Sequence, residues 1–178
     1  MNVKDLLYRG MSNLLARAVV RGLDTAQKCQ MVDIALVANE PKNSVEHLEP
    51  YGFTSAAHPG AEAVAMFVGG DRSHGVVITV ADRRYRLKGL KNGEVALYSD
   101  EGDSIVLRRD NRVEVNTKHY VVNAQEKATF NTPLLEVPDG EISDKTSTLS
   151  RMREQYNDHD HNDPHGGKTE KPNQEMGQ

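Results

Sequence analysis

Residues 104–142 read SIVLRRDNRVEVNTKHYVVNAQEKATFNTPLLEVPDGEI, and the fold depends on how this stretch covers its apolar side chains. Successive side chains of a strand point to opposite faces, so apolar residues at alternate positions share one face. Charged and amide side chains occupy many of the positions between them. We expect a series of short, one-faced strands with no helix between them. Their apolar positions are Ile105 and Leu107; Val113 and Val115; Tyr120, Val122 and Ala124; Ala128 and Phe130; and Leu135 and Val137.

The same region carries too little apolar surface to fold alone. Of the 47 residues from 104 to 150, 16 are apolar, and a chain segment of this size needs a larger core if it is to be self-sufficient. Three copies wound around one axis would bury the apolar faces and pair the strand edges between chains. The other interpretation is a single-chain continuation of the β-structure that precedes it.

Residues 16–90 have the pattern of a small barrel or sandwich of four or five strands. Short apolar runs alternate with turn-forming clusters of Pro, Gly and Asp, and no intervening segment has the length of a βαβ helix. The apolar runs occupy residues 18–20, 31–37, 63–68 and 75–80.

Residues 1–16 predict an amphipathic helix, because their apolar side chains recur at intervals of three and four. The helix either packs on its own domain or docks on a partner. Its apolar positions are Val3, Leu6, Leu7, Met11, Leu14 and Leu15.

Three histidines lie within residues 156–165, which read YNDHDHNDPH. On an extended chain His159 and His161 point to the same side and Asp160 points away. One chain supplies two imidazoles, and three chains around an axis would supply six, which is an octahedral shell of nitrogen ligands. Zinc usually takes four ligands in proteins, so iron, nickel and cobalt are the candidate metals. In the absence of a trimer, a pair of this kind in a polar segment is more typical of solvated residues.

Acidic residues surround the two histidines. Asp158, Asp160 and Asp163 are candidates to orient the imidazoles by hydrogen bonds, with simple solvation as the alternative. His165 follows Pro164, which interrupts the alternation, and we expect it to be solvated.

Composition and motifs argue against several classes of function. A net charge of −4 gives no general attraction to phosphate backbones, and the basic cluster at residues 83–88 is more typical of a solvated strand face. Cys29 has no recognisable histidine partner, and no serine lies in a nucleophile-elbow pattern. No apolar run approaches the roughly 20 residues of a membrane helix. The N-terminus lacks the apolar core of a secretory signal, so we expect synthesis in the cytoplasm.

An ordered series of short motifs resembles the central baseplate spikes of contractile-tailed bacteriophages, the baseplate assembly protein V group, and in particular spikes of the phage Mu type. The motifs are residues 50–55 (PYGFTS), 60–63 (GAEA), 69–75 (GGDRSHG), 90–98 (LKNGEVALY) and the closing His159-Asp160-His161. In that family an N-terminal OB-fold docks to the tail hub, a triple-stranded β-helix forms the shaft, and a small apex holds an iron ion.

The resemblance implies an all-β protein with an OB-fold barrel, an intertwined trimeric β-helix and a metal-binding apex. It implies that His159 and His161 are the metal ligands, with one iron ion per trimer. The polar tail leaves open whether the metal lies at the extreme tip or the tail folds back. The implied divisions are residues 1–16 for the helix, 17–98 for the OB-fold, 99–145 for the β-helix, 146–165 for the apex and 166–178 for the tail.

The implied function is mechanical and not enzymatic. A homotrimer in the virion, made in the host cytoplasm, would bind tail hub and baseplate proteins through its N-terminal region and pierce the host outer membrane, without binding nucleic acid. The alternative is a cytoplasmic OB-fold module that binds nucleic acid through Arg83, Arg84, Tyr85 and Arg86, with an incidental metal-binding tail.

Overall fold

The computed structural model describes residues 14–177, and these contain eight β-strands and one α-helix. Most of the predicted N-terminal helix, residues 1–13, lies outside the described residues. Leu15 and Ala16, its last two positions, lie in the first strand. The elements are β1 (Leu15–Asp24), β2 (Gln30–Ala35), β3 (Pro41–His47), β4 (Glu62–Phe67), β5 (Gly75–Ala81), β6 (Val95–Tyr98), β7 (Ser104–Leu107), β8 (Val113–Asn116) and α1 (Leu149–Asp158).

Strands β1 to β5 close into a barrel in the order β1-β2-β3-β5-β4. The β3–β5 pairing is parallel and the other four are antiparallel. Of the predicted alternatives, a small barrel or sandwich of four or five strands, the structure shows a closed barrel of five, and this agrees with the OB-fold that the resemblance implies. Together with the later strands it makes the described chain predominantly β, as predicted.

The barrel interior is filled by side chains at alternate strand positions, with Phe67 the largest of the fully buried residues. A Cβ atom at Gly75, which pairs with Phe67 across β4 and β5, would lie 2.7 Å from Cε1 of the phenyl ring. Glycine is required at residue 75 because the ring occupies the space of a side chain. The other fully buried side chains of this core with the largest volumes are Val20, Val32, Ile34 and Val77.

Strand β3 is the barrel element that the apolar runs did not predict. It buries only Val45 and His47, since its other side chains face solvent or the barrel rim. His47 Nδ1–H donates to Gln30 Oε1 at 2.9 Å, and Gln30 Nε2 donates to the Ser55 carbonyl oxygen at 3.0 Å. The buried polar pair is thus hydrogen-bonded and fixes the start of the β3–β4 connection.

Strands β6, β7 and β8 form a separate antiparallel sheet in sequence order. Its first strand precedes the predicted domain boundary at residue 98, so that boundary falls within the sheet. His58, in the β3–β4 connection, lies 2.8 Å from the Asp100 carboxylate in the β6–β7 turn. This contact links the barrel to the sheet.

The described chain divides into two compact units, residues 14–121 and 122–177. In the second unit a tight turn at residues 143–148 leads into α1, and Thr148 caps the helix by accepting a hydrogen bond from the Arg151 N–H at 3.2 Å. The helix was not predicted, because residues 146–165 were assigned to the apex without secondary structure.

A candidate assembly face and a histidine pair

One face of the β6–β8 sheet is entirely aliphatic. The register places Leu97 opposite Ile105 and Ile105 opposite Val115, with the flanking aliphatic pairs two residues away on the same side. Each of the six side chains remains 43–60% exposed. We call this surface the apolar face; it consists of Val95, Leu97, Ile105, Leu107, Val113 and Val115.

On the opposite side of the sheet, the apolar side chain of Val106 is buried and the charged side chains form ion pairs within the chain. Val106 is 1% exposed, and Arg108 beside it bonds the Glu114 carboxylate at 2.6 Å and the Glu94 carboxylate at 3.3 Å. The Arg108 hydrogen bond lowers the pKa of Glu114, while the pKa of Glu94 is lowered chiefly by the backbone N–H of Lys91. The sheet therefore leaves its apolar side uncovered and its charged side paired.

An open groove of about 520 Å³ lies at one end of the apolar face. Leu97, Ile105 and Val115 line it together with Tyr120 and Val121 from the chain that follows β8. Apolar surface therefore extends from the sheet to Tyr120 and Val121.

Residues 120–142, which we call the exposed segment, form no strand within the single chain that the structure describes. The sequence predicted strands here. A strand requires a hydrogen-bonded neighbour, and one chain supplies none in this segment. Its large apolar side chains are 43–72% exposed: Tyr120, Val121, Val122, Phe130, Leu134, Leu135, Val137 and Ile142.

The two predicted metal ligands lie side by side immediately after α1. Their ring centroids are 5.0 Å apart and the rings are perpendicular. His159 is half-buried and has extended backbone angles, whereas His161 is exposed. The pair lies in extended chain at the helix end and not in a strand, yet the two imidazoles occupy the same side as predicted.

The carbonyl oxygen of Tyr156 orients His159. Nδ1 of His159 lies within hydrogen-bond distance of this oxygen, which can only accept, so the proton is assigned to Nδ1. The Nε2 atom then carries the lone pair that a metal requires. Sequence reasoning missed this partner because a backbone carbonyl leaves no residue-type signal.

The aspartates contact other groups. Asp160 pairs with Lys168 at 2.8 Å, and Asp158 pairs with Lys171, which lowers the pKa of Asp158. Asp163 accepts the His165 backbone N–H at 2.9 Å, while the His165 side chain is 93% exposed. No hydrogen bond joins these three carboxylates to the rings of His159 or His161, so the contacts give the orienting alternative no support. The ring of His165 lies 3.1 Å from the Asp163 carboxylate but is exposed, as expected.

The histidine pair fits part of a metal site. Across residues 14–177 no three His, Cys, Asp or Glu side chains are grouped to hold an ion. Two neighbouring imidazoles, one of them with its unprotonated nitrogen assigned, are part of the donor set that a site shared between chains would need. Each chain would supply part of such a shell, and other copies would have to complete it.

The basic cluster begins in the turn after β5 and continues in irregular chain, so its predicted strand conformation is wrong. Arg83 bonds the Glu62 carboxylate at 3.0 Å, and Arg84 bonds Asp82 at 2.6 Å. The Tyr85 ring lies 5.2 Å from that of His58. These residues are held by intramolecular contacts, which gives the nucleic-acid alternative no support.

Among the residues with described structure, none lies in a helix with the length and apolar character to cross a bilayer.

Comparison with known proteins identifies a family that matches the barrel and two relatives that align with most of the chain. The profile of the family described as Bacteriophage Mu Gp45, N-terminal, matches residues 17–84, which include almost the whole barrel. The baseplate puncturing device gp45 of Escherichia phage Mu is 39% identical over 127 residues, covering 71% of this chain and 64% of that protein. The Mu-like prophage FluMu protein gp45 of Haemophilus influenzae is 32% identical over 133 residues, covering 71% of this chain and 72% of that protein.

The chain belongs to the phage Mu-like baseplate spike family. It aligns with somewhat less than two thirds of the length of the Mu protein.

Proposed function

We propose that this protein is the trimeric, membrane-piercing spike of a contractile phage tail. The uncovered apolar face of the sheet is the observation that carries the proposal, and the exposed apolar side chains of the exposed segment add to it. A surface of this kind on a single chain is typical of a site covered by another chain.

Three copies of the chain provide the cover. Each copy brings the same apolar face and the same exposed segment, and rotation about a threefold axis directs all of them inward. In such an arrangement the strands predicted between residues 120 and 142 gain hydrogen-bonded neighbours from other copies, so the edges no longer remain open. The proposed shaft is this intertwined β-helix, spanning about residues 99–145.

His159 and His161 of the three copies hold one iron ion in the apex, residues 146–165. When bound, the ion cross-links the three chain ends, much as a disulfide would. Iron is favoured over nickel or cobalt by the family resemblance, while the imidazole donors suit all three. The ion has no redox role in this proposal, and the protein is not an enzyme.

The partners follow from the position of a spike. The N-terminal region, ahead of and including the barrel, binds tail hub and baseplate proteins, and the opposite end enters the host outer membrane. The name of the Mu relative, a baseplate puncturing device, supports this placement. The protein is made in the host cytoplasm and functions in the virion, without nucleic acid as a partner.

Electron microscopy of tails labelled with gold-conjugated antibodies against residues 166–178 tests the proposal. We expect gold at the distal end of the tail tube before contraction, and at the cell envelope after contraction on host cells. Gold along the sheath, or at the head-proximal end, would contradict a spike.

A further inference from the structure

We propose that residues 168–177, which we call the strap, position the histidine pair, and that Thr169 is the main positioning residue. The inference rests on the proposed function, because the metal site belongs to it, but the contacts of the strap can be tested without adding a metal.

Thr169 forms hydrogen bonds with both the backbone N–H and the carbonyl oxygen of His161. The His161 N–H donates to Thr169 Oγ1 at 2.9 Å, and the Thr169 N–H donates to the His161 carbonyl oxygen at 2.8 Å. Next to them, Asn162 and Lys168 form an antiparallel bridge, closed by a turn in which the Asp163 N–H donates to the Gly167 carbonyl oxygen at 2.8 Å. The chain after the histidines therefore reverses and runs back beside them.

Two lysines of the strap hold the acidic side chains on either side of His159. Lys168 Nζ bonds Asp160, and Lys171 Nζ bonds Asp158. The pairing raises the pKa of both lysines. The residues immediately before and after His159 are therefore both tied to the strap.

The far end of the strap is anchored to the last turn of α1. The Met176 N–H donates to Asn157 Oδ1 at 2.8 Å, and Asn157 Nδ2 donates to the Met176 carbonyl oxygen at 3.4 Å. The strap thus contacts residues 157, 158, 160, 161 and 162, while Tyr156 orients the ring of His159.

A strap of this kind reduces the conformational entropy that the chain loses when it binds a metal. Two imidazoles on free extended chain must lose backbone and side-chain freedom before they can share an ion, whereas a fixed backbone has already lost part of it. Hydrogen-bonded groups that orient metal ligands typically change metal affinity by about 10- to 100-fold when they are mutated. In this proposal the polar tail positions the metal ligands of the apex.

The first test uses the full-length, metal-free protein. Thr169→Val removes the hydroxyl that accepts the His161 N–H with little change of shape, and Thr169→Ser retains it. By hydrogen exchange resolved by NMR, we expect the His161 amide to exchange about 10-fold faster in Thr169→Val and within about twofold of wild type in Thr169→Ser. Equal exchange in all three proteins would overturn the strap.

The second test titrates the same three proteins with Fe²⁺ under anaerobic conditions and, separately, with Co²⁺. We expect Thr169→Val to weaken the apparent affinity about 10-fold, with Thr169→Ser close to wild type. Faster exchange together with unchanged metal affinity would overturn the positioning role. Failure of the wild type to bind either ion would overturn the metal site and, with it, the positioning role. The hydrogen-exchange result would still decide whether the strap itself exists.

Discussion

At the scale of single residues, Gly75 is a barrel position with no room for a side chain. Gly75→Ala would place a methyl group against the Phe67 ring, and we expect it to lower the free energy of unfolding of the barrel by about 1–3 kcal/mol. Chemical denaturation followed by circular dichroism measures this. Gly167→Ala is the control, since its Cβ would lie 4.0 Å from the nearest atom, Asp163 Cβ. A barrel equally stable with alanine at residue 75 would contradict the close approach.

The Arg108 cluster gives the sheet a pH dependence. The pKa values of Glu94 and Glu114 lie below their ordinary value of 4.5. Carboxyl groups with lowered pKa values stabilise the fold fully above 4.5, and this stabilisation is lost as the pH falls through the lowered values. We expect Glu114→Gln to reduce the fall in Tm between pH 6 and pH 3, as measured by circular dichroism.

Glu101→Gln is the matched control for this pH effect, because it removes a carboxylate from the β6–β7 turn outside the cluster. It should follow the wild-type pH curve. A curve for Glu114→Gln that is superimposable on that of wild type would show that the ion pairs add nothing.

The histidine pair makes a separate prediction about metal content. Replacing both His159 and His161 by alanine should remove the iron and leave the oligomer folded, since the proposed shaft does not depend on the ion. Elemental analysis of protein purified without a histidine tag, together with its sedimentation coefficient, measures both properties. Undiminished iron in the double variant would refute the ligand assignment.

At the scale of elements, the apolar face predicts which substitution breaks the assembly. Ile105→Lys places a charge where each copy would otherwise bury an aliphatic side chain worth about 1.5–3 kcal/mol, so we expect self-association at least about 10-fold weaker. Sedimentation velocity over a range of protein concentrations measures this. The single chain should tolerate the change, because Ile105 is exposed in it.

Val37→Lys is the control for the same experiment. It introduces the same charge at an exposed aliphatic residue of the barrel and should leave self-association unchanged. An Ile105→Lys variant that associates as strongly as Val37→Lys would exclude the apolar face as an interface.

The elements also show which parts of the fold the sequence could predict. Four barrel strands were predictable because β-branched and apolar residues cluster in them, but β3 was not, since Val45 and His47 are its only buried side chains. Helix α1 was missed, although Thr148 is a good cap and Leu149, Met152 and Tyr156 recur at helical spacing. Its short length and charged sequence weakened that pattern.

The candidate site was predictable only where side-chain type carries the information. Alternation identified most of the apolar face, and the spacing of His159 and His161 placed their rings on one side. The roles of Tyr156 and Thr169 were not predictable, because each acts through a hydrogen bond involving a backbone group that many residue types could bring there.

At the scale of the whole molecule, the described chain leaves much of its apolar surface uncovered. The barrel has its own core, whereas no core formed by residues 14–177 covers the apolar face or the exposed segment. Burying such surface is the main driving force for association, so the number of copies in solution is the property to measure.

Multi-angle light scattering on the purified, untagged protein determines that number directly. We predict a mass of about 59 kDa that persists on dilution to nanomolar concentration, three times the 19.7 kDa of one chain. A stable, folded species of 19.7 kDa would show that the later half of the chain needs no other copies, and would contradict the spike.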